Sequence, residues 1–150
     1  MRMKIAILED NLERQEVMRA CIADRFYMYE TCFFDDAPAM IEFLKEHLTR
    51  CIAIALDNDL ELKVESDGRC RDCGEGREVA VFLANNKPAC SVIIHTTNTD
   101  AASAMKAALT GAGWKTRRVI PEPGIEWIRT DWFRTLRRAI VGPIKKTSAA

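Results

Sequence analysis

Cys51-Ile52-Ala53-Ile54-Ala55-Leu56 runs straight into Asp57-Asn58-Asp59-Leu60. An apolar run of this length, cut off by charge, reads as a central strand of a parallel sheet, buried on both faces and finishing in acid. Nearer the N-terminus, Lys4-Ile5-Ala6-Ile7-Leu8 ends in the same way, in Glu9-Asp10. Ligand sites of open α/β sheets gather at the carboxyl ends of such strands. If the two strands are neighbours, Glu9, Asp10 and Asp57 converge on one crevice. Three hard oxygen donors there suit a divalent cation, and Mg2+ above all.

The rest of the chain falls into alternation around these two runs. Strands are expected at 3–8, 29–34, 51–56, 91–95 and 114–120. Helices are expected at 12–24, with Leu12, Met18, Cys21 and Ile22 near one face, and after the cap residues Asp35 or Asp36, with Pro38 in the first turn. That second helix carries Met40, Ile41, Phe43, Leu44 and Leu48. Further helices are expected at 76–86, at 100–110 with a stop at Gly111-Ala112-Gly113, and at 125–141. The pattern predicts an α/β fold: a single doubly wound, five-stranded parallel sheet with helices on both faces. Residues 61–75 interrupt it as a polar, glycine-containing insert, too long for an ordinary connection and placed to form a lid or rim. One domain over 1–142 and a disordered tail at 143–150 complete the expectation.

Composition narrows the function classes. With 22 basic and 22 acidic residues the net charge is zero, so no broad footprint for nucleic acid or an anionic membrane is expected. No apolar stretch is long enough to span a bilayer and no signal-peptide pattern opens the chain, which places it in the cytoplasm. Of six cysteines, Cys21, Cys32, Cys51 and Cys90 read as small reduced core residues. Cys70-Arg71-Asp72-Cys73 has metal-ligand spacing but no second pair. It stands open between half a zinc site, a reversible disulfide and an incidental pair.

With Glu9-Asp10 after the first strand, Asp57 after the third and Thr96 after Val92-Ile93-Ile94-His95, the sequence resembles the receiver domains of response regulators. The resemblance covers about residues 3–140 and implies the flavodoxin-like strand order 2-1-3-4-5. It implies that Glu9, Asp10 and Asp57 hold Mg2+, that Asp59 lends the metal a backbone carbonyl, and that Asp57 accepts a phosphoryl group whose oxygen Thr96 binds. The family's Lys-Pro after the fifth strand is not kept, since Ile120-Pro121-Glu122-Pro123 puts Glu122 where the lysine is expected. A carboxylate at that place would repel a phosphoryl group, unless Lys115, Arg117 or Arg118 supplies the cation.

Leu56-Asp57-Asn58-Asp59-Leu60, Gly74-Glu75-Gly76-Arg77-Glu78-Val79, Ile94-His95-Thr96-Thr97-Asn98, Gly113-Trp114 and Trp127-Ile128 to Trp132 are together similar to a narrower branch, the cyclic-phosphate processing receivers. That branch is associated with RNA-end repair. Its Asp-His-Asp after the third strand is Asp57-Asn58-Asp59 here, so of two family histidines only His95 is present.

His95 reads either as a hydrogen-bonded core residue or as an acid–base or phosphate-binding group, whereas His47 reads as surface. Asn98 and Thr99 read as caps of the fourth helix. Trp127, Trp132 and Phe133, with Arg129, Arg134, Arg137 and Arg138, form either a base-stacking face or a core face with solvated arginines behind it.

Three functions remain open. One is a stand-alone receiver that takes a phosphoryl group from a phospho-donor, or binds a phosphorylated ligand, at Asp57. Another is a metal-dependent phosphoesterase of RNA ends, with His95 assisting. A pseudo-receiver without chemistry is the third. Since no output domain follows in this sequence, signalling is expected to pass to a partner protein in trans, and a homodimer through the last helix is a further expected partner.

Overall fold

The computed structural model describes residues 1–149, with 143–149 described by backbone alone. The tail expected at 143–150 therefore lies outside the fully described residues. Strands β1 (Lys4–Leu8), β2 (Glu30–Phe34), β3 (Cys51–Leu56), β6 (Ser91–His95) and β7 (Thr116–Val119) form one sheet in the order β2-β1-β3-β6-β7. All its pairings are parallel. This is the expected 2-1-3-4-5 order, with the insert adding two short strands between the third and fourth.

Burial explains the composition of each strand. Every residue of β1 and β6 is buried, and all but Ile52 of β3, whereas the edge strands β2 and β7 are half-exposed. Central strands covered on both faces can be apolar throughout, and edge strands need not be. Alternate residues serve opposite layers. Ala6, Leu8, Ile54, Leu56, Val92 and Ile94 pack under α2 (Ala37–His47), α3 (Gly76–Ala84) and α4 (Thr99–Gly111). Ile5, Ile7, Ala53, Ala55 and Ile93 face α1 (Leu12–Arg25) and α5 (Phe133–Ala149).

Cap chemistry sets the helix ends. Asn11 Oδ1 accepts from the Arg14 amide at 2.9 Å, Asp36 Oδ1 from Ala39 at 2.8 Å, and Asn98 Oδ1 from Ala101 at 3.0 Å. α4 stops as expected at its glycines. Gly113, at φ +91°, lets its own amide reach Thr110 O at 3.1 Å and the Trp114 amide reach Leu109 O at 2.9 Å.

Three details differ from the sequence expectation. Leu12 is 72% exposed, because the helix begins there and only Val17, Met18 and Ile22 turn inward. The last helix is not uniform, since Ile128–Trp132 is a π-helical segment ahead of α5. A π turn closes i to i+5, which brings residues five apart onto one side. Trp127 and Trp132, 3% and 0% exposed, thereby both enter the core, so they are not a base-stacking face. Finally, the insert folds into a small hairpin, β4 (Lys63–Val64) with β5 (Cys70–Arg71). Lys63 pairs with Asp35 at 2.7 Å, Arg71 with the capping Asp36, and the Ala37 amide with Cys73 O at 2.8 Å. The hairpin is thus clamped onto the start of α2.

Candidate functional site

The sheet ladder continues past the strand ends and fixes the acids. The Asp57 amide donates to Leu8 O at 3.0 Å and the Glu9 amide to Phe34 O at 2.8 Å. Held this way, Glu9, Asp10 and Asp57 each bring a carboxylate oxygen within 4.8 Å of the other two. It is the metal-capable group of three or more side chains found among the described residues. Above it opens a cleft of about 350 Å³ lined by Asp10, Arg14, Asp57, Asp59, Thr96 and Pro121, among others.

Each acid sits in a different field. Burial pushes the Asp57 carboxyl up to about 6, with Glu9 and Asp10 adding repulsion, while His95 and the Asn58 amide, 2.7 Å from Oδ1, pull it down. Asp10 is also raised, mainly by burial, although its Oδ2 accepts from the Glu61 amide at 2.8 Å. Burial works on Glu9 in the same direction, but His95, the Asn11 amide and Arg14 outweigh it and leave Glu9 below the usual carboxylate range.

A hard divalent cation fits this donor set. Glu9 Oε1 is wholly buried and has no aligned hydrogen bond among the described residues. Its neighbours are His95 Nε2 at 3.3 Å and Arg14 Nη1 at 3.6 Å, ion-pair distances without hydrogen-bond geometry. A buried, anionic oxygen so poorly satisfied, beside two raised carboxyls, is where added positive charge is most favourable.

The other expected residues divide. Thr96, 2% exposed, lines the cleft, and its Oγ1 accepts from the Asn98 amide at 3.1 Å, leaving the hydroxyl proton available to a ligand. Asp59 lines the cleft too, but its carboxylate stands apart from the cluster and accepts from Asn58 Nδ2 at 3.0 Å. His95 is 0% exposed and lies behind the cleft, with ring centroids 6.2 Å from both Trp127 and Trp132. Its one ion-pair contact with the acids, among the described residues, is to Glu9. Asn58, where the branch carries histidine, is a staple: its Oδ1 accepts from the Arg77 amide at 3.1 Å and its carbonyl from Gly76 at 3.0 Å. Cys70 is exposed and Cys73 buried, and neither joins a metal-capable cluster among the described residues.

β7 ends at Val119, so the pair directly after it is Ile120-Pro121. Pro121 lines the cleft, whereas Glu122 is exposed outside it. The carboxylate of Glu122 therefore stays out of the cleft lining. Of the proposed substitutes, Arg118 donates to Thr96 O at 2.6 Å from the far side of the loop. The guanidinium lining the cleft is Arg14, in the first turn of α1, stacked 5.3 Å over Trp127. Sequence reasoning passed over Arg14, although its place four residues after Asp10 in a capped first turn was the available signal.

The sequence profile described as Cyclic-phosphate processing Receiver domain matches residues 6–111, from β1 to the end of α4. The chain belongs to that family. Receiver folds surround it among solved structures as well. The phosphorylated cyanobacterial phytochrome response regulator RcpA superposes with a TM-score of 0.68 at 16% identity, covering 92% of this chain and 93% of its own. The Mn2+-bound response regulator Rcp1 gives 0.64 at 18% identity, covering 91% and 92%. A receiver domain from Rhodospirillum rubrum gives 0.63 at 15% identity, covering 94% of each. No protein of curated function matches by sequence.

Proposed function

We propose that this receiver domain binds Mg2+ between Glu9, Asp10 and Asp57, with the Asp59 backbone carbonyl beside them, and takes a phosphoryl group on Asp57. The observation that carries the reading is the convergence of three carboxylates at the ends of adjacent central strands, under a cleft lined by a hydroxyl and a guanidinium. A divalent cation there offsets the charge of the acids and of an incoming phosphate.

The remaining work belongs to side chains. An Asp57 carboxylate oxygen attacks phosphorus, and the bond from phosphorus to the donor's leaving group breaks with its electron pair going to that group. The Thr96 hydroxyl donates to an equatorial oxygen. Arg14 supplies the cationic charge that the lysine supplies in receivers generally. The phosphorylated form signals to a partner protein, and the domain works in the cytoplasm; no described helix is long and apolar enough to cross a membrane.

The test is intact mass after incubation with Mg2+ and acetyl phosphate. A single phosphoryl adduct is expected, absent in Asp57→Asn. An adduct of equal yield in that variant removes Asp57 from the role.

A second reading is favoured by the family match: processing of 2′,3′-cyclic phosphate ends of RNA at the same site. There His95 is a positioning residue, since its ion-pair contact with the acids is to Glu9. A cyclic-phosphate oligonucleotide opened in Mg2+ by the wild type and not by Asp57→Asn supports it. An intact ring after prolonged incubation sinks it.

A further inference from the structure

A second charged cavity lies at the other end of α1, about 20 Å from the acidic cleft by helical rise. It measures about 530 Å³, and Arg25, Arg134, Arg137 and Arg138 line it around an apolar floor that includes Phe26 and Val141. Among the described residues no acidic side chain lines it, and none of the four arginines takes part in an ion pair. Ion pairs do form elsewhere on the surface, as in Lys4–Glu30, Lys63–Asp35 and Arg129–Glu126. Four like charges around one concavity repel one another, a cost that a bound anion removes.

We propose that this groove is a binding site for a ligand carrying several linked phosphates. Guanidinium is planar and forked, and it matches phosphate oxygens two at a time. Four such groups exceed what a single phosphate can engage, which favours a di- or triphosphate over orthophosphate. The apolar floor gives a planar base somewhere to lie, so the ligand is either an inorganic polyphosphate or a nucleoside polyphosphate. Phe26 is 7% exposed and packs on Phe133, with ring centroids 6.0 Å apart, and the four arginines are exposed around it.

The experiment is calorimetric titration of the whole chain at low salt with a chelator present, which keeps metal-dependent phosphate binding at Asp57 out of the readout. Tripolyphosphate, adenosine triphosphate and orthophosphate are titrated separately. Tripolyphosphate is expected to bind at least about tenfold more tightly than orthophosphate, and Arg134→Ala/Arg137→Ala to lose at least about tenfold in affinity. Both arginines are exposed, so that variant is expected to fold, which circular dichroism checks. Asp57→Asn is expected to bind as the wild type does. Equal affinity for both triphosphates assigns the site to phosphates alone, and tighter binding of the nucleotide adds the base. The proposal is overturned by absence of tripolyphosphate binding, by equal affinity for orthophosphate, or by unchanged affinity in the double variant. Binding of a single-stranded oligonucleotide in place of tripolyphosphate overturns it as well.

Discussion

At the scale of single residues, Asp57 sets both the chemistry and its cost. Its carboxyl is pushed from 3.8 up to about 6, chiefly by burial. The folded state therefore holds a proton more tightly than the unfolded chain, so stability falls as pH rises from about 4 to about 6 and stays low above. At 1.36 kcal/mol per pH unit the ionised residue costs on the order of 3 kcal/mol without metal. In metal-free buffer at pH 8, Asp57→Asn is expected to be more stable than the wild type by about 1–3 kcal/mol in urea denaturation, and near pH 4 by almost nothing. An equal difference at both pH values would mean that the substitution acts through packing instead. The same proton opposes cation binding, so Mg2+ affinity is expected to weaken below about pH 6 in calorimetry, as Asp57 protonates. These acids were legible in the sequence because each follows a buried run directly. The role of His95 was not, and that of Arg14 was signalled only by its place in the capped first turn after Asp10. His95 meets the cluster through Glu9, 86 positions away in the chain, a contact that depends on how the strands are stacked and that no local pattern records.

At the scale of elements, the site depends on how closely α3 approaches the end of β3. A Cβ on Gly76 would lie 2.0 Å from the Asp57 carbonyl oxygen and 3.0 Å from Asn58 Cα. Both are backbone atoms, so neither can turn aside. Gly76→Ala is expected to cost about 1–3 kcal/mol of stability and to weaken Mg2+ binding at once, because the displaced strand end carries Asp57. Gly113→Ala provides the contrast. Its Cβ would make only ordinary contact with Pro88 at 3.6 Å, but its φ of +91° disfavours any side chain. The expected result is a loss of about 1 kcal/mol with Mg2+ affinity unchanged, followed by thermal unfolding and calorimetry on both variants. If Gly113→Ala lost metal affinity too, general loosening rather than the α3 contact would explain the effect. The glycines at 111 and 113 announced a helix stop in the sequence, and α4 ends there. By contrast, the π segment at Ile128–Trp132 could not be read, because aromatic spacing fits a plain helix and only the need to bury Trp127 and Trp132 together selects the wider turn.

At the scale of the molecule, fold order and site are one fact. β1 and β3 are hydrogen-bonded neighbours at the centre of the sheet, and their adjacency is what turns two separate acidic sequence motifs into a single cluster. Alternating buried runs and amphipathic segments made the elements readable and the receiver resemblance implied their order, whereas the hairpin at 63–71 and the side on which it settles depend on ion pairs to Asp35 and Asp36 formed only in the folded chain. Because the acids finish two central strands of the sheet, their repulsion acts against the whole sheet rather than a loop. A cation that binds only the folded state must then stabilise globally, by about 2.7 kcal/mol at one hundred times its dissociation constant. For a domain of this length that amounts to a rise of about 5–10 °C in Tm. Scanning calorimetry with increasing Mg2+ is expected to show that rise in the wild type, its reversal by a chelator, and little change in Asp10→Asn. The last variant separates binding at the cluster from general ionic effects, since screening of surface charge would move the Tm of both proteins alike. A Tm that ignores Mg2+ in the wild type would remove the cation from the site, and with it the phosphoryl chemistry proposed for Asp57.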